Sequence, residues 1–277
     1  MADNRPIGIF DSGLGGLTVM REIVKLMPNE NIVYFGDTGR VPYGTRSRET
    51  ITKYAIQDEK FLIEQNVKLI VAACGTVSSV ASATGTSLPV PFFEVISHTV
   101  KAAVNATKNG KIGVIGTSAT INSGEHRRQI LKLLPTAEVF CKSCTLFVPF
   151  VEEGWIDPDN AVVMGMVKKY LEPLIPAQVD TLILGCTHYP ILSPVISRIM
   201  GEKVTLINAG EATAAAVKDY LETGSITNDN DASGIHRFYV SDKTNSFETT
   251  AQILLGKKIN KNEVNQVDID KYEKGYN

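Results

Sequence analysis

Cysteine is scarce in this chain. Four thiols in 277 residues are too few for a disulfide scaffold, so they are expected to be free. Long hydrophobic runs are missing too: none approaches the ~18 residues of a membrane-spanning helix. The N-terminus, MADNRPIGIF, lacks the basic start and apolar core of a signal peptide. Nor is there an excess of either charge. Lys and Arg number 28 against 30 Asp and Glu, for a net charge of −2, so nothing electrostatic favours nucleic acid or an anionic membrane as partner. A dinucleotide loop is also lacking. Gly13 and Gly15 follow the apolar run Ile7 to Phe10, but the third glycine of G-x-G-x-x-G would fall on Thr18. These absences leave a soluble, cytoplasmic protein as the expectation. At 43% hydrophobic residues, it holds enough apolar material for one large domain or two of roughly 130–140 residues.

What is present is an alternation of short apolar runs and amphipathic stretches. Strands are expected at Ile7 to Phe10, Asn31 to Gly36, Leu69 to Ala73, Phe92 to Ile96, Lys111 to Gly116, Ala137 to Cys141, Thr181 to Leu184, Val204 to Asn208 and Arg237 to Val240. Helices are expected between them, including Leu17 to Met27, Glu49 to Gln65 behind the N-cap Ser47, Val100 to Lys108, a stretch from the cap at Thr117 to Thr120 toward Leu134, Ala161 to Leu174, Glu211 to Glu222 and Phe247 to Leu255. Phe147 to Gly154 reads as a mixed apolar and acidic turn, and Gly224 to Gly234 as a polar loop. Such alternation argues for parallel sheets, and the number of strands suits two α/β halves better than one. The expected break lies near Ser97 to Lys111. No flexible linker marks it, so the halves should pack together around a cleft.

Two stretches share one construction. KLIVAACGT ends an apolar strand on Cys74, Gly75 and Thr76, and DTLILGCTHYP ends another on Cys186, Thr187 and His188. Strand ends that precede a helix are where open α/β sheets place their chemistry. Amide groups and the helix dipole there stabilise anions, and are expected to lower a thiol pKa. Facing one another across a cleft, two thiols suit stereoinversion at carbon: one removes a proton, and the other delivers one to the opposite face. Each cysteine could instead be a small buried hydrophobe. Cys141 and Cys144 form a C-x-x-C that could be half a zinc site or a redox pair, although no second C-x-x-C exists and the nearest histidine is His126. His98, His126 and His236 show no partner pattern and are expected to be surface or satisfied residues. Asp11 and Ser12, at the end of the first strand, could face a ligand.

Taken together, the stretches IGIFDSGLGGLTV, YFGDTGRVPYGTRS, AACGT, KIGVIGTSATINSG, LFVPFVEEG, DTLILGCTHYP and GEATA, spread in this order over nearly the whole chain, resemble the bacterial glutamate racemases of the aspartate/glutamate racemase superfamily. The resemblance implies two Rossmann-like α/β domains with pseudo-twofold symmetry and the active site between them: residues 1–98 with 210–277, and residues 99–209. It implies racemisation of L- and D-glutamate without pyridoxal phosphate, other cofactor or metal, by Cys74 and Cys186 as acid/base residues. Asp11 would assist near Cys74, with His188 and Glu153 near Cys186. Asp11, Ser12, Pro42, Tyr43, Gly44, Gly75, Thr76, Thr187 and His188 would bind substrate. D-Glutamate would feed peptidoglycan synthesis, and a homodimer is implied. Alternatives within the resemblance are a racemase of aspartate or another amino acid, and a gyrase-binding role, since some family members inhibit DNA gyrase. The family usually has Cys-Asn-Thr where this chain has Cys74-Gly75-Thr76, so a side-chain amide that would touch substrate is expected to be missing.

Overall fold

The computed structural model describes residues 2–229, 232–244 and 247–273. The chain begins with β1 (Ile7–Asp11), α1 (Leu17–Leu26), β2 (Ile32–Gly36), α2 (Arg48–Glu64), β3 (Leu69–Ala72), α3 (Gly75–Val80) and β4 (Phe92–Glu94). Next come α4 (Val95–Ala106), β5 (Lys111–Gly116), α5 (Ser118–Asn122), α6 (Glu125–Leu133), β6 (Glu138–Ser143), α7 (Phe147–Glu152), α8 (Ala161–Leu171), β7 (Thr181–Leu184), α9 (Ser193–Met200) and β8 (Thr205–Asn208). It ends with α10 (Ala209–Thr223), β9 (His236–Val240), α11 (Phe247–Leu255) and β10 (Val264–Gln266). Among the described residues no helix is long and apolar enough to cross a membrane.

The strands form two sheets, both wholly parallel. One has the order β10-β9-β2-β1-β3-β4, the other β6-β5-β7-β8. The blocks β2-β1-β3-β4 and β6-β5-β7-β8 repeat one topology. Cys74 and Cys186 therefore follow equivalent strands, β3 and β7. β1, β2, β3 and β7 are buried along their whole length, as helices on both faces of a parallel sheet require, so their sequences are apolar runs without alternation. The chain returns after the second sheet to place β9 beside β2.

α10 packs on α1 and on α4, and α4 in turn lies on α6 and against β7 and β8. One apolar cluster runs through this joint, from Ile9 and Leu17 through Val100 and Val217 to Ile183. The two sheets thus share a core on one side of the molecule and face one another across a cleft on the other.

Several boundaries differ from expectation for local reasons. β4 stops at Glu94 instead of Ile96, because the Glu94 carboxylate accepts the N–H groups of Ile96 and Ser97 at 2.6 and 2.8 Å and starts α4 there. The helix expected from Thr117 toward Leu134 is broken in two at Gly124, whose φ of 67° only glycine adopts readily. The turn expected over Phe147 to Gly154 contains α7. β10 was not expected at all. Of the polar loop Gly224 to Gly234, residues 230 and 231 lie outside the described residues, as do residues 274–277 of the segment expected to rejoin the first half.

Candidate active site

The C-terminal ends of β1, β3, β5 and β7 open on a single cleft of about 410 Å³. Asp11, Ser12, Gly13, Pro42, Tyr43, Gly44, Cys74, Gly75 and Thr76 line it from the first sheet. Thr117, Thr120, Cys144, Glu152, Cys186, Thr187 and His188 line it from the second. Both strand-end cysteines are buried, and both are free thiols.

On the first side, the Cys74 thiol lies 3.4 Å from Ser12 Oγ. Asp11 is buried, and its Oδ2 accepts the Gly13 N–H at 2.9 Å while Oδ1 has no hydrogen-bond partner in the protein. Burial raises the Asp11 pKa above the ordinary carboxyl value, against the opposing charge of His188. The thiol of Cys74 does not follow the lowering expected at a helix start. Burial and the neighbouring Asp11 carboxylate push it up to about 12, outweighing Ser12 and the Val77 N–H. Cys74 is thus a protonated thiol at neutral pH, the form that donates a proton.

On the second side, His188 joins three groups. Its Nδ1 stands 3.9 Å from Cys186 Sγ and 3.4 Å from Thr187 Oγ1, and its Nε2 meets Glu152 Oε1 at 3.1 Å. Burial alone would lower the imidazole, but the hydrogen bonds to Cys186 and Glu152, with their charges, prevail and raise it to about 10. The ring is therefore a charged imidazolium at neutral pH.

The halves are tied to each other beside the thiols. The Thr18 hydroxyl donates to the Thr187 carbonyl at 2.8 Å, and Thr76 Oγ1 lies 3.2 Å from Thr117 Oγ1, which is itself 3.0 Å from Thr120 Oγ1. Pro42, Tyr43 and Gly44 sit on a loop, containing a cis Val41–Pro42 bond, that a buried polar network fixes. The Tyr43 hydroxyl donates to Asp37 and lies 3.2 Å from Asp58 Oδ2; Arg40 bonds Asp37 Oδ2 at 2.6 Å and Asp58 Oδ1 at 3.1 Å. Burial and the Asp37 charge hold the Asp58 pKa well above the usual carboxyl range.

Two buried thiols thus stand at equivalent strand ends of a duplicated fold, each with its own polar escort. The family described as Asp/Glu/hydantoin racemase matches residues 7–217. The chain belongs to the Asp/Glu racemase family. A glutamate racemase of Geobacter metallireducens is 43% identical over 96% of this chain and 97% of its own, and one of Syntrophus aciditrophicus is 44% identical over 92% and 94%. Among solved structures, glutamate racemase of Francisella tularensis in complex with D-glutamate superimposes with a TM-score of 0.90, at 39% identity over 98% of this chain and 100% of that one. Glutamate racemase of Thermus thermophilus in complex with β-chloro-D-alanine gives 0.87, at 36% identity over 98% and 100%.

The carboxylate beside His188 in this racemase-family chain is Glu152, not Glu153. α7 turns Val148, Pro149 and Glu152 toward the cleft and buries Phe147 and Val151 behind, whereas Glu153, the residue that ends the helix, does not line the cleft. The signal in the sequence is the spacing of Val148 and Glu152, four residues apart and so on one helix face. Thr117 and Thr120, expected only to cap a helix, line the cleft at the end of β5, the strand equivalent to β1. The C-x-x-C is split: Cys141 is exposed on β6, while Cys144 is buried in the cleft wall. Among the described residues no group of three or more His, Cys, Asp or Glu could hold a metal ion. His126 corrects another expectation. It is buried beside Gly185, its Nδ1 has no partner in the protein, and burial lowers its pKa to about 4.

Proposed function

We propose that the protein interconverts L- and D-glutamate by moving the α-proton between two thiols. The single observation that carries this is the pair Cys74 and Cys186 lining one cleft from opposite sheets, in a chain whose relatives are glutamate racemases. The substrate α-carbon would lie between the sulfurs. On one face a sulfur takes the α-proton, breaking C–H and forming S–H. On the other, an S–H breaks as its proton passes to carbon, giving the opposite configuration. Cys74, held as a thiol, suits delivery, and Asp11 would exchange protons with it. His188 would pass protons to and from Cys186 through Nδ1 while Glu152 holds Nε2. Negative charge that develops on the substrate carboxylate would meet the backbone amides of Gly75 and Thr76, and of Thr187 and His188, across the cleft. Ser12, Pro42, Tyr43 and Gly44 would hold the rest of the substrate.

On this reading the cleft divides two units, residues 1–98 with 210–277 and residues 99–209. The protein would act in the cytoplasm as a homodimer, and its D-glutamate would supply peptidoglycan synthesis. The deciding experiment is incubation of purified protein with each of a panel of L-amino acids in deuterated water, followed by circular dichroism and mass spectrometry. Loss of optical activity from glutamate, with one deuterium at the α-carbon, is expected. Turnover of aspartate and not glutamate would overturn the choice of substrate, and no turnover of either would overturn the reaction.

A further inference from the structure

Thr18 stands where a dinucleotide loop would carry its third glycine. It is buried in the first turn of α1, in the first half of the molecule. Its hydroxyl reaches two carbonyl oxygens, that of Gly15 at 2.9 Å and that of Thr187, in the second half, at 2.8 Å. A hydroxyl has one hydrogen to give. The Gly15 carbonyl already accepts the Thr18 N–H at 3.0 Å, so the hydroxyl hydrogen is free for Thr187.

Thr187 needs that hydrogen because of its own surroundings in the sequence. After β7 the chain enters a tight turn in which a carbonyl accepts the N–H three residues on. The Cys186 carbonyl accepts from Tyr189 and the His188 carbonyl from Ile191, both at 3.1 Å. The Thr187 carbonyl lies between them, and the residue three ahead of it is Pro190, which has no N–H. Thr187 is buried, and a buried carbonyl without a donor is costly. The first half also packs closely there. A β-carbon on Gly15 would lie 2.1 Å from Thr187 Oγ1 and 2.6 Å from His188 Cε1. The first half-site has a different tie to the opposite half, from Thr76 to Thr117.

We propose that Thr18 is a positioning residue for the second half-site: by donating to the Thr187 carbonyl, which Pro190 leaves without a partner in its own turn, it fixes the turn that carries Cys186 and His188. The inference rests on the racemase reading above, with removal of the α-proton at one thiol and delivery from the other as separate steps. Without the hydroxyl, the Thr187 carbonyl turns toward another donor and takes its neighbours with it. The contacts of Cys74 with Ser12 and of Asp11 with Gly13 do not involve Thr18. The loss therefore slows the step at Cys186. For the enantiomer whose α-proton Cys186 removes, C–H cleavage becomes more limiting, and deuterium at the α-carbon slows turnover more. For the other enantiomer, cleavage is at Cys74 and delivery from Cys186 becomes limiting, so the same deuterium slows turnover less.

The test compares wild type with three variants. Thr18→Val keeps the shape of the side chain and loses the hydroxyl, Thr18→Ser keeps the hydroxyl, and Ser12→Ala disturbs Cys74 instead. Each protein is given L- or D-glutamate with hydrogen or deuterium at the α-carbon, and turnover and melting temperature are measured. Thr18→Val is expected to turn over glutamate roughly tenfold more slowly. Its isotope effects on the two enantiomers should move in opposite directions, the reverse of those in Ser12→Ala. Thr18→Ser is expected to match wild type. Wild-type behaviour of Thr18→Val, isotope effects that move together, or shifts in the same sense as Ser12→Ala overturn this inference alone. So does a Thr18→Ser as slow as Thr18→Val, since the methyl group would then be what matters. If Thr18→Val does not fold, the smaller Thr18→Ala replaces it, and failure of both overturns the inference, because the hydroxyl would then serve the fold. A wild type that moves no α-hydrogen of glutamate overturns the functional reading, and this inference with it.

Discussion

His188 Nε2 lies 3.1 Å from Glu152 Oε1, while Nδ1 of the same ring faces Cys186. The carboxylate at the outer nitrogen helps keep the ring charged up to about pH 10, although burial opposes that charge. Racemisation that depends on the imidazolium should persist into alkaline solution and fall as pH passes 10. Glu152→Gln retains an acceptor but removes the charge, so the alkaline limb should move to lower pH. Glu153→Gln should leave the limb in place. A pH–rate profile of the three proteins checks this. The stability effect has the same sign: a histidine raised in the folded state stabilises fully below its unfolded value near 6.5 and loses that contribution as pH rises toward 10.

Cys74→Ser and Cys186→Ser should each reduce racemisation by on the order of a thousandfold or more, since a hydroxyl is a far weaker acid than a thiol at working pH. Each variant should still exchange the α-hydrogen of one glutamate enantiomer through its remaining thiol, and the two should prefer opposite enantiomers. Deuterium uptake into each separate enantiomer reads this out. Equal behaviour of the two variants toward both enantiomers would contradict a division of labour between the faces.

The network under Tyr43 makes an unequal prediction for its two aspartates. Burial and the Asp37 charge favour the neutral form of Asp58, so Asp58→Asn replaces one neutral group by another and should change stability by less than about 1 kcal/mol. Asp37→Ala takes the shortest ion pair from the largely buried Arg40, leaving it Asp58 and Gln57, and removes the nearer acceptor of the Tyr43 hydroxyl, and should cost about 1–3 kcal/mol. It should also raise KM, because Tyr43 and Gly44 line the cleft. Urea unfolding and steady-state kinetics measure the two effects.

His126 predicts acid sensitivity. Its pKa falls from near 6.5 to about 4 on folding, so the unfolded chain takes up a proton in this range that the folded chain refuses. The contribution is present above pH 6.5 and reverses to a loss on the order of 3 kcal/mol as pH falls to 4. His126→Gln should flatten the decline in melting temperature between those values.

How much of this was legible beforehand depended on whether the signal was local. The fully buried strands Ile7–Asp11 and Thr181–Leu184 are apolar runs whose ends are marked by polar or glycine residues, and each cysteine stands two residues after such a strand. The end of β4 at Glu94 is not legible, because Val95 and Ile96 continue an apolar pattern and only the carboxylate cap turns them into a helix. β10 is three residues long and became a strand only by pairing with β9. Glu152 and Glu153 are chemically identical neighbours, and composition cannot choose between them. The helical phase of α7 does.

The sequence by itself determined the parallel α/β architecture and the two strand-end thiols, with Thr187 and His188 directly after Cys186, because hydrophobic period and residue type are local properties. Only the tertiary structure decided that Glu152 holds His188, that Cys74 is pushed up to about 12, that His126 is buried without a partner for Nδ1, and that the Thr18 hydroxyl meets the Thr187 carbonyl. Each of these depends on desolvation or on distances between segments far apart in the chain, and those exist only once the two sheets have closed on one another.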